Sequence, residues 1–259
     1  MKFLTKSLNM LKRIFSKLAR FNPSEHLPYI GRPDNAWRIK QSLAVRRLFK
    51  YCNIDYVVDV GANRGQFVSF LRSSIGYKSN VLSIEPIPEL VNILRSKSKY
   101  DSHWEILPVA VDVSQSKRQF NLMKSDTFSS FLEPSDIPEF DFSDKNLVVD
   151  RINVETVSLQ SVLDDILSRN PSHNIFLKLD TQGYDYQILS SSQHILKHIS
   201  ALMVEISFKS IYQSQEGDWL TLLQFLNNNG FELCSIDQNN SGHFPYLIES
   251  DALFLRVRD

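Results

Sequence analysis

The run YVVDVGANRGQF, residues 56–67, constrains this 259-residue chain more than any other. Three apolar residues lead into Asp59. Gly61 and Gly65 follow four positions apart, and an apolar pattern then resumes at helical spacing with Phe67, Phe70 and Leu71. A buried strand that turns this abruptly into a helix commonly does so over a ligand. Gly61 permits a turn that side chains would block, and Gly65 lets backbone N–H groups approach a ligand closely. Asn63 is placed to cap the helix, with Gln66 three residues on as a capping-box partner.

The remainder of the chain alternates in the same way. WRIKQSLAVRRLFKYC (37–52) reads as a helix with Leu43, Leu48 and Phe49 on its apolar face. NVLSIEP is a second strand, and Pro88 suits the first turn of the helix that follows it. WEILPVAVDV reads as a third strand, NIFLKLD (174–180) as a fourth and ALMVEISF (201–208) as a fifth. The helix DWLTLLQFLNNNG closes on Gly230, and FELCSID and DALFLRV finish as strands. Strands alternating with helices predict an α/β fold: a Rossmann-like, doubly wound, mostly parallel seven-stranded sheet with an antiparallel last strand. Residues 113–158 look less regular and read as an insertion near the ligand face. The expected organisation is a basic amphipathic helix and linker over residues 1–36 and one domain over 37–259.

Glu85 ends the second strand, where a carboxylate can accept hydrogen bonds from both hydroxyls of a ribose. A dinucleotide site would require G-x-G-x-x-G, but Asn63 and Gln66 stand where its second and third glycines belong. Asp59 also places negative charge where a pyrophosphate would sit. A nucleoside carrying cations fits better, and S-adenosylmethionine has an ammonium, a sulfonium and a ribose. A tight turn with no ligand would leave the paired acids unexplained.

VVDVGANRGQF resembles the first motif of class I S-adenosylmethionine-dependent methyltransferases, and of the FkbM-type family in particular. FSSFLEP (128–134), LKLDTQGYDYQIL (177–189) and LMVEISFKSIYQSQ (202–215) extend the resemblance in order, and DALFLRV resembles the family's closing strand. It covers roughly residues 50–258 and departs at Gln182 and Asp185, where the family often carries Glu. Motif and resemblance together imply a cofactor set of Asp59, Gly61, Asn63, Gly65, Gln66, Phe67, Glu85, Pro86, Asp112 and Asp180. They imply methyl transfer to a hydroxyl, the acceptor being a sugar in a glycan or glycosylated natural product. Such a hydroxyl has a high pKa and needs a positioned base.

Asp180, ending the fourth strand, is expected to face the methionine end of the cofactor or the acceptor; capping the helix that begins near Gly183 is the alternative. Lys178, two residues earlier, can neutralise it. Glu205 is a carboxylate in an apolar strand, either paired or a base with a raised pKa. Ser129, Ser130, Gln182, Tyr212 and Gln215 are candidate acceptor ligands, and His243 is a further candidate base. His194 and His198 are spaced i, i+4 but read as a solvated helix face, so no metal site is assigned. A divalent ion held by Asp180 and Glu205 stays open.

Net charge is zero, which gives no global attraction to nucleic acid. Two cysteines, Cys52 and Cys234, suit a reducing, cytoplasmic compartment. Residues 1–21 hold six basic residues and no acid, with Leu4, Leu8, Leu11, Phe15 and Leu18 on one helical face. The basic residues interrupt any apolar run, so this is neither a signal peptide nor a spanning helix. Packing on the chain's own domain or on a second subunit, or peripheral contact with an anionic membrane, remain as readings. A non-catalytic scaffold and an N-methyltransferase are the functional alternatives.

Overall fold

The computed structural model describes residues 36–135, 144–238 and 247–257. The basic helix read for residues 1–21, most of the linker after it and His243 lie outside the described residues. The chain divides into the units Met1–Ser42 and Leu43–Asp259, and the fold below is that of the second.

β1 (Tyr56–Val60) is buried at every position, as is β7 (Ile175–Leu179), and β2 (Asn80–Ile84) is buried at all but its first. Strands this apolar need cover on both faces, which is the condition for parallel pairing in α/β folds. β1 accordingly runs parallel to β2 on one side and β7 on the other. β3 (Trp104–Leu107) extends the sheet from β2, and β8 (Ile199–Ser207) extends it from β7. β10 (Glu249–Arg256) lies antiparallel between β8 and β9 (Phe231–Gln238). The order is β3-β2-β1-β7-β8-β10-β9, and the sheet is the expected seven-stranded, mostly parallel one with its last strand antiparallel. Strand order reverses between β1 and β7, and the crevice above that point is where such sheets bind ligands.

On one face, Val57, Phe176 and Met203 pack against Val45, Leu48 and Phe49 of α1 (Ala36–Cys52) and against α2 (Gln66–Phe70). On the other, Val58, Val60 and Leu177 meet α4 (Leu159–Arg169), α5 (Asp185–Ser191) and α6 (Trp219–Asn228). Leu43, expected on the buried face of α1, is 46% exposed; Val45 takes that place. α3 (Pro88–Ser98) starts on Pro88, whose missing N–H costs nothing in a first turn. α2 runs into a π turn over Leu71–Ile75 that Gly76 closes at φ 75°. Asp218 caps α6 by accepting from Thr221 N–H at 2.8 Å. Among the described residues no helix is long and apolar enough to cross a membrane.

Two expectations change. WEILPVAVDV is two strands, β3 and β4 (Ala110–Asp112), because Pro108 offers no N–H to continue the ladder. Residues 113–158 are more regular than expected, since β5 (Ser116–Met123) and β6 (Val148–Ser158) form with β4 a second sheet of order β4-β6-β5. Polar residues on both faces of β5 and β6 hide their alternation. This small sheet and the segment after β5 stand over the switch point and wall the site.

Candidate active site

A cavity of about 440 Å³ opens above the carboxyl ends of β1, β2 and β7. Its floor is the β1–α2 turn. Gly61 sits at φ 73°, where L side chains are strained, and a Cβ there would collide with the backbone carbonyl of Asp180. The missing side chain lets β1 and β7 end close enough to share one opening.

Glu85, at the end of β2, is 3% exposed and faces this cavity. Its Oε2 accepts from Asn63 N–H at 2.8 Å and its Oε1 from Ile87 N–H at 2.9 Å. Burial pushes its pKa up to about 7, against the pull of those two backbone donors. Each oxygen keeps a lone pair, so the carboxylate can still accept a pair of ligand hydroxyls. Ile87, Val111, Phe120 and Phe131 supply the apolar wall beyond it.

The opposite end is acidic. Asp180, Glu205 and Glu249 line it. Gln182 ties the first two together, donating one amide hydrogen to Asp180 Oδ1 at 2.9 Å and one to Glu205 Oε2 at 3.1 Å. Its own oxygen lies 3.0 Å from Tyr212 Oη, and its backbone carbonyl accepts from Ser130 Oγ at 2.8 Å. Gln182 holds φ 54°, an uncommon conformation outside glycine, and these contacts keep it there. Burial, then the neighbouring Glu249 and Asp180 charges, push the Glu205 pKa well up. Among the described residues of the lining, Lys178 carries the cation. Its Nζ is 3.1 Å from Asp180 Oδ2 and 3.5 Å from Asp59 Oδ1. Burial alone would lower its pKa, and the two carboxylates more than reverse that. With its charge spent between two acids, Lys178 offers little to a phosphate.

The sequence model of the Methyltransferase FkbM domain matches residues 59–233, more than half of the chain. The chain belongs to the FkbM methyltransferase family. Among solved structures it is similar to an FkbM methyltransferase from Methylobacillus flagellatus KT, at 16% identity and TM-score 0.49 over 78% of this chain; it spans 43% of that protein's length. It is also similar to magnesium protoporphyrin IX methyltransferase from Synechocystis PCC 6803 with bound S-adenosylmethionine, at 11% identity and TM-score 0.44, over 86% of this chain and 81% of that one. Among curated proteins none matches this sequence.

The cofactor that goes with this FkbM family domain is S-adenosylmethionine, and the residues present fit it. Glu85 suits a ribose, the apolar wall suits an adenine, and the acidic end suits an ammonium and a sulfonium. Of the residues read from the sequence, Gly61, Asn63, Gln66, Phe67, Glu85, Pro86, Ser129, Asp180, Gln182 and Glu205 come together in the lining.

Others lie behind it, for physical reasons. Asp59 is fully buried, accepts from Ser83 Oγ at 3.2 Å, and is shielded from the cavity by Lys178. Burial pushes its pKa up, with Lys178 pulling the other way. Gly65 serves packing rather than ligand approach, since a Cβ there would stand 2.9 Å from Trp104 Cη2 and 3.0 Å from Leu94 Cδ2. Asp112 is turned onto Arg118 at 2.7 Å and the Tyr184 hydroxyl at 2.9 Å. Ser130 and Tyr212 hold Gln182 from behind, and Gln215 accepts from Ser210 Oγ at 2.9 Å, away from the cavity. Asn63 and Gln66 do bond, at 2.9 Å, but side chain to side chain; the N-cap position of α2 belongs to Gly65. Asp180 caps no helix. Asp185 meets Thr181 instead, accepting from its backbone N–H at 2.9 Å and from its hydroxyl.

Sequence reasoning missed Glu249, Asp126 and the aromatic wall of Phe120 and Phe131. Glu249 carried a signal of the kind that singled out Glu205, a carboxylate leading into an apolar strand. Asp126 closes part of the rim through an ion pair with Arg64 at 2.5 Å, joining the β1–α2 turn to the segment after β5.

Proposed function

We propose that this chain is an S-adenosylmethionine-dependent O-methyltransferase acting on a hydroxyl of a sugar-like acceptor. The observation that carries the reading is the pair of cavity ends: a buried carboxylate with spare lone pairs at the end of β2, and a cluster of half-buried carboxyl groups at β7, β8 and β10. Residues 37–259 form the catalytic domain in this proposal.

The bound cofactor supplies an electrophilic methyl group on a positively charged sulfur. The protein's task is to align that group with the acceptor oxygen, exclude water and take up the hydroxyl proton. Glu85 holds the ribose hydroxyls, and the β1–α2 turn from Gly61 to Asn63 presents backbone to the methionine chain. Ile87, Val111 and Phe131 enclose the base. Asp180 and Glu205 face the positive end of the cofactor, where their charge is matched. Gln182 bridges the two and fixes their orientation. A buried base with a raised pKa suits a hydroxyl acceptor, which gives up its proton reluctantly, better than an amine.

Two free cysteines support a reducing, cytoplasmic setting for the enzyme. Residues 1–21 are proposed to make a surface contact, either with an anionic membrane or with a second subunit. Sedimentation with anionic vesicles by the full chain, but not by the chain lacking those residues, selects the membrane.

Incubation with methyl-labelled cofactor and a panel of polyhydroxylated acceptors, read by mass spectrometry, tests the proposal. Label on oxygen supports it. Label on nitrogen shows the alternative chemistry, and cofactor binding without turnover on any acceptor marks a scaffold.

A further inference from the structure

Glu249 opens β10, beyond the residues matched to the family domain. In the β8–β10 ladder it stands opposite Ser207, and Asp251, two residues on, stands opposite Glu205. Side chains at alternate positions share a face of the sheet, so Glu249 projects on the same side as Glu205, into the cavity. The carboxyl groups at this end are not equally committed. Asp180 uses one oxygen for Lys178 and the other for Gln182, and Glu205 accepts from Gln182. Glu249 Oε1 is shut off from solvent and has no hydrogen-bond partner.

A buried acceptor without a donor costs about 1–3 kcal/mol, so the fold leaves this carboxyl group under-bonded. Among the described residues Lys178 and Gln182 engage Asp180 and Glu205, which leaves the Glu249 carboxylate as the acid of the three available to a group in the cavity, and the acceptor hydroxyl of the reaction proposed above needs such a partner. Resting on that reading, we propose that Glu249 is the catalytic base, its carboxylate accepting the hydroxyl proton of the acceptor. As the acceptor oxygen bonds to the methyl carbon, its proton passes to the Glu249 carboxylate, the electron pair of the old carbon–sulfur bond stays on sulfur, and the sulfonium charge is neutralised. Glu205 and Asp180 then act as neighbours that set the strength of this base.

The electrostatics agree. Burial, then the charges of Asp180, Asp251 and Asp185, push the Glu249 pKa up to about 8, near the value at which a base is most effective. Glu205 on β8 and Lys178 on β7 also face this end of the cavity.

Two cofactor analogues test the assignment without an identified acceptor. Sinefungin carries an amine where the methyl group is transferred, whereas S-adenosylhomocysteine has nothing there. With Glu249 facing the methyl position, E249Q weakens sinefungin by about tenfold or more through loss of a charge-assisted bond. It leaves S-adenosylhomocysteine within about twofold, a change too small to matter on that scale. Equal weakening of both ligands, or of neither, overturns the proposal. Should E249Q fail to fold, E249D, which keeps the acid but shortens its reach, must show the same selectivity. A folded wild-type protein that binds neither analogue refutes the cofactor assignment itself, and this inference with it.

Discussion

Replacing Gly61 by alanine tests how β1 and β7 come to share one opening. Alanine at the observed φ of 73° costs about 1–2 kcal/mol. Its Cβ would also overlap the Asp180 carbonyl oxygen and lie 3.0 Å from the carbonyl carbon. Main chain, unlike a flexible side chain, yields only by moving the turn or the end of β7, which adds about 1–3 kcal/mol. The total of about 2–5 kcal/mol corresponds to a melting temperature lower by roughly 4–20 °C in a domain of this size. Gly76 is the control. It sits at φ 75°, and a Cβ there would meet nothing within 4 Å, so G76A carries the conformational cost alone. Its expected fall is roughly 2–8 °C. The assay is thermal unfolding of both variants beside calorimetric titration with S-adenosylhomocysteine. G61A should melt below G76A and lose most of its affinity, because any shift of Asp180 opens the site. Equal melting of the two variants with wild-type affinity in G61A would refute the reasoning.

Three further outcomes are expected. E85Q leaves one carbonyl oxygen for two backbone N–H donors, so stability falls by about 1–3 kcal/mol and cofactor affinity by about tenfold to a hundredfold; unchanged affinity in a calorimetric titration would move the ribose elsewhere. The ligand-free protein should lose stability as pH rises, because Glu85 and Glu249 bind protons more tightly folded than unfolded, with pKa values of about 7 and about 8 against an ordinary 4.5. Stability from these protons is complete below the ordinary value and is lost as pH passes through about 7 and then about 8; a melting temperature that rises over that span contradicts the assignment, and E249Q should flatten its upper part. Q182E replaces the donor between Asp180 and Glu205 with a third acid, so it should destabilise by about 1–3 kcal/mol at high pH and recover part of that in acid, as denaturant unfolding at two pH values will show.

The parallel strands were legible because burial on both faces makes them apolar from end to end, and the glycine turn between β1 and α2 carries a strong local signal. β5 and β6 were not, since strands covering the rim of a site keep polar residues on both faces. Motif spacing located Glu85 and Asp180 correctly at strand ends. It could not say which way a side chain turns, and for Asp59 and Asp112 that decided the matter. Lys178 stands between Asp59 and the cavity, and Arg118 draws Asp112 aside. Gly65 shows the same limit, because a glycine kept for Trp104 and one kept for a ligand look identical in sequence. Glu249 comes from a strand far along the chain, and only the antiparallel pairing of β10 with β8 sets it beside Glu205.

Titration of the folded wild-type protein with S-adenosylmethionine in a calorimeter, repeated with ATP present as a competitor, tests the account most directly. Saturable one-to-one binding that ATP does not displace is the predicted result. Absence of binding, or displacement by ATP, would show that the cavity above β1, β2 and β7 serves a different ligand.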